Sequence, residues 1–217
     1  MTLTGGEPLM YLDDVVRIAE ESRKLDVPMF VVTNGVLLTE AFLRRYAELG
    51  HVLVISLDTV EEGKWDAFRG RNHYHLVMGN VRLARSILGA NLRVQSVLAK
   101  ESRDDVAGVM AFCADRSIPH VVQPYQDFGG TWHGAGADRD SGVACAARKN
   151  ICVYPNGDVV KCFDHRRIPL AKEPLGNVAS EDIVAILCKR RSTEVSRIMK
   201  GCNLPCKQLS CNLPVEV

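Results

Sequence analysis

Short apolar runs alternate with amphipathic stretches from the start of the chain, the latter with apolar residues recurring every three to four positions. A strand ending near Thr4 leads into a helix on which Leu12, Val15, Val16, Ala19 and Ser22 share one face, with Asp13 as its expected cap. The unit recurs with a strand from Met29 to Thr33, a helix from Thr39 to Leu49 and a strand from Val52 to Leu57. A longer insertion carries a helix through Leu76, Val77, Val81, Ala84 and Leu88. Strands near Leu92 to Leu98 and Ile118 to Gln123 bracket a helix with Val106, Val109, Met110 and Cys113 at i, i+3, i+4, i+7 spacing. Strands alternating with helices predict a parallel sheet, open or closed into a barrel, with functional groups at the strands' C-terminal ends.

The pattern changes after the fifth strand. Residues 126–142, QDFGGTWHGAGADRDSG, form a polar, Gly-rich stretch expected to be a long loop, in which Trp132 and His133 either meet a substrate or are merely solvated. Ile151 to Tyr154 and Asp158 to Lys161 flank Pro155-Asn156-Gly157, where Asn-Gly is expected to supply the positive backbone angles of a tight hairpin. One more helix, Glu181 to Met199, leads to a final group of cysteines.

Composition bounds the partners. Hydrophobic residues make up 47% and charged residues 24% of the 217, as in a soluble globular protein. Lys plus Arg (27) nearly balance Asp plus Glu (26), so no strong field recommends a nucleic acid or an anionic membrane. No apolar run spans a bilayer and no signal stretch opens the chain, so a cytoplasmic location is expected. Eight cysteines are many for that compartment, where such clusters more often bind metal than form disulfides. Only Cys113 precedes residue 140; the other seven crowd the last third. The expected division is therefore a partial barrel over 1–125, a linking loop over 126–142 and a small Cys-rich α+β domain over 143–217.

Chemistry-bearing residues fall where the sheet would present its ligand edge. Thr4-Gly5-Gly6-Glu7-Pro8 ends the first strand: two glycines free the backbone, Glu7 can accept from a cationic amine and Pro8 stiffens the exit. Taken alone, it is equally a strand-to-helix turn. Thr33-Asn34-Gly35 ends the second strand, Ser56-Leu57-Asp58 the third, and Phe68-Arg69-Gly70 follows. Asn34-Gly35 is also readable as a simple turn and Asp58 as a helix cap.

This ordered set of GGEP, TNG, S-x-D and FRG resembles the radical S-adenosylmethionine (SAM) superfamily over Met1 to about Gln123. The resemblance implies a partial (β/α)6 TIM-like barrel lacking its first βα unit, with SAM lying across its top. Gly5, Gly6 and Glu7, with Pro8 beside them, would bind the methionyl amine, Ser56 and Arg69 the ribose or carboxylate, and Asn34, Asp58 and Gln95 would contribute more weakly. The family's [4Fe–4S] cluster is held by three cysteines, usually Cys-x3-Cys-x2-Cys, in the loop after the first strand. That loop would precede Met1, so an N-terminally truncated form is expected, inactive as this fragment. The parent activity so implied is reductive cleavage of SAM to a 5′-deoxyadenosyl radical that abstracts hydrogen from a peptide or a small sugar or alcohol. A reductant such as flavodoxin or ferredoxin would supply the electron.

The cysteines carry a second signal. Eleven residues separate Cys145 from Gly157 and four separate Gly157 from Cys162, and Cys202, Cys206 and Cys211 follow a helix. A hairpin presenting thiolates beside a distant Cys-rich loop suits a metal site. The spacing resembles the auxiliary-cluster domains called SPASM or Twitch, with Cys206 one place late and no later cysteine. It implies one [4Fe–4S] auxiliary cluster on Cys145, Cys162, Cys202 and one of Cys206 or Cys211, with Cys152 as a possible extra ligand. Cys113 and Cys188 are expected to pack. Four thiolates also suit Zn²⁺. A noncatalytic SAM- or cluster-binding module and a zinc-binding α/β protein therefore stand as alternatives.

Overall fold

The computed structural model describes residues 1–69, 73–98, 102–124, 151–161 and 173–199. The chain divides into two compact units, Met1–Gln123 and Pro124–Val217. The first contains β1 (Thr2–Leu3), a 3-10 turn (Pro8–Tyr11), α1 (Leu12–Lys24), β2 (Phe30–Thr33), α2 (Glu40–Glu48) and β3 (Val52–Ser56). It continues through α3 (Glu62–Arg69), α4 (Tyr74–Leu88), β4 (Leu92–Leu98), α5 (Arg103–Asp115) and β5 (His120–Pro124).

The five strands pair in chain order, β1-β2-β3-β4-β5, as a parallel sheet. Right-handed crossovers between successive parallel strands place every connecting helix on the same face when the order never reverses. Burial follows from that. Val31, Leu53, Ile55, Leu92 and Val94 face the helices and are fully covered, against Ala19 of α1, Leu43 and Tyr46 of α2, Val77, Val81 and Ala84 of α4, and Val109 of α5. The alternate positions Phe30, Val32, Arg93 and Gln95 face the other way and are half-buried. Thr39 caps α2, its Oγ1 accepting from the Phe42 amide at 3.2 Å.

Several local expectations are corrected. Asp13 is the second residue of α1, not its cap; the cap position is Tyr11, whose side chain makes no capping bond, and Asp13 with Asp14 instead complements the helix dipole. The insertion after β3 holds two helices, with Trp65 of α3 buried edge-to-face on Tyr74 of α4 at 5.8 Å. Met110 is half exposed; Val106, Val109 and Cys113 fill the buried stripe of α5 together with Asp105.

In the second unit, β6 (Cys152–Val153), β7 (Asp158–Val160) and β8 (Gly176–Asn177) form an antiparallel sheet, followed by α6 (Ile183–Cys188) and α7 (Arg190–Met199). The single helix expected from Glu181 is interrupted at Lys189, whose ψ of 141° is extended. Its ammonium donates to the Leu175 carbonyl at 3.0 Å and pairs with Glu181 at 2.5 Å, holding that carboxyl below its usual range. Only Gly157 of the hairpin turn has a positive φ, +87°; Asn156 does not. The Gly157 amide donates to the Tyr154 carbonyl at 2.8 Å and Tyr154 pairs with Asp158, so the loop is a Pro-initiated turn closed by a left-handed glycine.

Asn177 of β8 packs on that glycine, its amide donating to the Asn156 carbonyl at 2.9 Å and to Asp158 Oδ1 at 3.0 Å. A Cβ at position 157 would stand 2.6 Å from Asn177 Oδ1. Gly157→Ala is therefore expected to cost at least about 1–2 kcal/mol through the backbone angle alone. Limited proteolysis should cleave the variant's hairpin faster than the parent's, and equal rates would refute the packing described.

Candidate functional site

The C-terminal ends of β1 to β4 carry the polar residues of the first unit. After β1 the chain turns through Gly5 (φ +94°) and Gly6 (φ +54°). Among the described residues nothing lies within 4 Å of where either Cβ would stand, so the glycines answer the backbone angle and leave that backbone open to a ligand. Glu7 then caps the 3-10 turn that Pro8 begins. Its Oε1 accepts from the Leu9 amide at 3.1 Å and from Thr33 Oγ1 at 2.7 Å, and its Oε2 from the Asn34 amide at 2.8 Å. One carboxylate thus ties the end of β1 to the end of β2. An ionised carboxylate has about four acceptor positions, so one remains unused.

The turn after β2 is built around the same lock. Thr33 Oγ1 also accepts from the Gly35 amide at 3.1 Å, and Asn34 Oδ1 accepts from the Val36 amide at 2.8 Å. Gly35 has a φ of +81°, its absent Cβ would sit 3.1 Å from Ile55 Cγ2, and buried Asn80 of α4 donates to its carbonyl at 2.8 Å. Asn34 offers a ligand little through its side chain, which is committed to the turn.

A cation is held further along the edge, where β3 meets β4. Arg69 Nη2 pairs with Asp58 Oδ2 at 2.7 Å and donates to the Ser56 carbonyl at 2.9 Å, while its Nε is buried with no hydrogen-bond partner among the described residues. Asp58 does not cap a helix; its Oδ1 accepts from the Val97 amide at 3.0 Å, bridging β3 to β4. Gln95 sits beside Ser56 in the ladder, and its Oε1 accepts from Gln123 Nε2 at 3.2 Å. Beneath this edge, buried Asp105 accepts from Thr59 Oγ1 at 2.8 Å and pairs with Lys64 at 3.3 Å, fastening α5 to the loop after β3. Asn80, Thr59 and Asp105 are not singled out by the sequence, and Thr33 is there only as the residue that closes the second strand.

The arrangement offers a carboxylate acceptor where β1 meets β2 and, where β3 meets β4, the guanidinium of Arg69 held by Asp58. That polarity matches a ligand with an ammonium group at one end and hydroxyl or carboxylate oxygens further along.

Three thiols, those of Cys113, Cys152 and Cys188, lie among the described residues. Cys113 lies in the core of α5, and burial pushes its thiol up from 9.0 to about 11. Raised above its unfolded value, it contributes stability in full below pH 9 that is lost as pH climbs through 11. It is expected to resist iodoacetamide at pH 8 until the protein is unfolded; labelling of the native chain there, read by mass spectrometry, would contradict the packing. Cys152 sits on β6 opposite Val160, half-buried. Cys188 is exposed, and Ile186 fills the buried position of α6, correcting the expectation that Cys188 packs. Cys145, Cys162, Cys202, Cys206 and Cys211, like Gly70, Trp132 and His133, lie outside the described residues. Among the described residues no group of three His, Cys, Asp or Glu side chains is placed to hold a metal ion, and no helix is long and apolar enough to cross a membrane.

Residues 1–113 match the Radical SAM superfamily. The chain belongs to the radical SAM superfamily. Among curated relatives, this radical SAM chain is 26% identical over 138 residues to an uncharacterised protein of Methanocaldococcus jannaschii, covering 61% of the chain and 48% of that protein. It is 26% identical over 141 residues to GTP 3′,8-cyclase 1 of Mycobacterium tuberculosis, covering 61% and 39%. The chain thus matches less than half the length of these relatives. Its fold is similar to that of anSMEcpe with bound AdoMet and the Cp18Cys peptide (TM-score 0.70, 13% identity, 96% of this chain and 72% of that one). It is also similar to Streptococcus suis SuiB bound to the precursor peptide SuiA (TM-score 0.65, 15% identity, 90% and 55%). The five-stranded parallel sheet is consistent with part of the barrel of that superfamily.

Proposed function

We propose that the first unit binds SAM across its sheet edge and that the chain is part of an enzyme that cleaves SAM reductively and abstracts hydrogen from a substrate. The observation that carries this is the combination of an anchored carboxylate retaining one acceptor position, Glu7, with a buried Arg69 Nε that has no hydrogen-bond partner among the described residues. The first suits the ammonium donor of SAM and the second its oxygen acceptors. Glu7, beside Gly5, Gly6 and Pro8, would accept from the methionyl ammonium; Arg69 and Ser56 would donate to carboxylate or ribose oxygens. Asp58 fixes the arginine, and Gln95 and Asn34 complete the rim. When bound, SAM and a reduced cluster supply the radical chemistry, and the protein orients and shields them. Only Cys113 precedes residue 140, and its buried thiol is spoken for by packing. Cys113 is therefore not assigned to a SAM-cleaving cluster.

We also propose an auxiliary [4Fe–4S] cluster on Cys145, Cys162, Cys202 and one of Cys206 or Cys211, in a SPASM- or Twitch-like domain over 143–217. Peptide is the substrate class we favour over a small sugar or alcohol, because anSMEcpe and SuiB are each seen with peptides. A flavodoxin or ferredoxin would be the electron donor, in a cytoplasmic setting.

Two measurements test the reading. Calorimetry with SAM on the anaerobically purified chain should show binding, and its absence would remove the proposal for the first unit. Metal analysis should find iron and sulfide; zinc instead would overturn the auxiliary cluster. A second reading, a SAM-binding module that does not cleave SAM by itself, is favoured by the same isolation of Cys113, and it predicts no 5′-deoxyadenosine from the 217 residues alone.

A further inference from the structure

The five strands of the first unit contain one charged residue of the Asp, Glu, Lys and Arg set, and it is Arg93. It stands on the half-buried face that carries no helix, in register with Val54 and two residues before Gln95. Strand rise sets it roughly 7 Å below Gln95 and Ser56, inside the rim on which SAM is proposed to lie. Its guanidinium lies over the Phe30 ring, 5.3 Å from the centroid. Among the described residues it makes no salt bridge and no hydrogen bond, whereas Arg17, Arg44, Arg45, Arg69 and Arg116 each meet a carboxylate. Stacking occupies the face of a guanidinium and leaves its five N–H groups at the edge, in the fork that matches two oxygens of an oxyanion. A half-buried guanidinium in register with Val54 and stacked on Phe30 keeps its edge free of any partner among the described residues, where an oxyanion can meet it.

We propose that Arg93 is the anchor for an oxyanion, a carboxylate or a phosphate, on the molecule this unit presents to the radical. Phe30 acts as the positioning residue that holds the guanidinium, and the Gln95–Gln123 pair lines the way between anchor and rim. The proposal rests on the SAM-edge reading above, and it names a chemical requirement of the substrate: an anion held inside the sheet's open face, below the reacting edge.

The test uses the whole chain, two probes and one chemical label. Inorganic pyrophosphate represents a phosphorylated small molecule, and a blocked tetrapeptide of glutamate and glycine represents a peptide carboxylate. Phenylglyoxal modification of Arg93, mapped by mass spectrometry, should slow in the presence of one probe, and that probe identifies the source of the anion. Arg93→Gln should weaken binding of the same probe about tenfold or more, the loss of a charge-assisted hydrogen bond pair. Arg93→Lys, which keeps the charge but not the fork, should fall between them, and the affinity for SAM should be unchanged in both variants. Protection by neither probe, equal probe affinity in Arg93→Gln, or a parallel loss of SAM affinity overturns the proposal. Should Arg93→Gln fail to fold, the protection measured on the unmodified sequence and the lysine variant decide it. A chain that binds no SAM removes the proposed function, whereas SAM binding with an unprotected Arg93 removes only this anchor.

Discussion

Glu7→Gln is expected to weaken SAM binding about a hundredfold, the loss of a charge-assisted bond together with the disordering of its support. The amide oxygen can replace Oε1 and still accept from Leu9 and Thr33, but the NH2 group then stands where Oε2 accepts from the Asn34 amide, donor against donor. The substitution therefore removes the negative charge and also disturbs the junction of the β1 and β2 ends, at about 1–3 kcal/mol of folding stability. Thr33→Val separates the two effects, because it deletes one strut and keeps the charge; its SAM affinity should fall by about tenfold at most. Calorimetry on both variants, with denaturant midpoints alongside, reads the outcome. Unchanged SAM affinity in Glu7→Gln would show that the carboxylate serves the turn alone.

Tyr46→Ala should have the largest effect on stability, about 3–5 kcal/mol in urea-induced unfolding of the first unit. The side chain is completely buried, stacks on Phe42 at 5.3 Å and sends its hydroxyl to the Val52 carbonyl at 3.2 Å, beside the start of β3. Burial pushes its phenol well above the ordinary value, as expected for a ring sealed between α2 and the sheet. A net stability of about 5–15 kcal/mol is ordinary for a domain, so the loss would consume much of it. Tyr46→Phe keeps the ring and should cost about 1 kcal/mol. A loss below that in Tyr46→Ala would mean that the site collapses around the missing ring.

The sheet was legible because apolar runs such as Val52-Leu53-Val54-Ile55 have one structural solution when amphipathic helices lie between them. The ligand edge was legible for the same reason: glycines and polar groups interrupt those runs where each strand ends. What the pattern concealed was partnership across strands. Thr33, Asn80 and Asp105 are polar residues on largely apolar elements, and each takes its role from a residue more than 25 positions away. Asp58 was ambiguous because a carboxylate after a strand serves a cap and a cross-strand bridge equally well, and only the arrival of Val97 and Arg69 decides. The break at Lys189 and the exposure of Cys188 were hidden because their neighbours all favour helix, and the interruption comes from a lysine drawn to Leu175 and Glu181. Helical spacing also overcounted Met110, because a stripe of three buried residues suffices to dock α5.

The unbroken order β1-β2-β3-β4-β5 also shapes how the molecule is made. Each of β2 to β5 pairs with the strand translated just before it, so each of these pairings waits only for the crossover between them. The bonds from Thr33 and Asn34 to Glu7 close over the first crossover, so the proposed ammonium acceptor can be assembled while later strands are still being translated. Arg93 arrives on the fourth strand, so a nascent chain would acquire the cofactor half of its site before the substrate half.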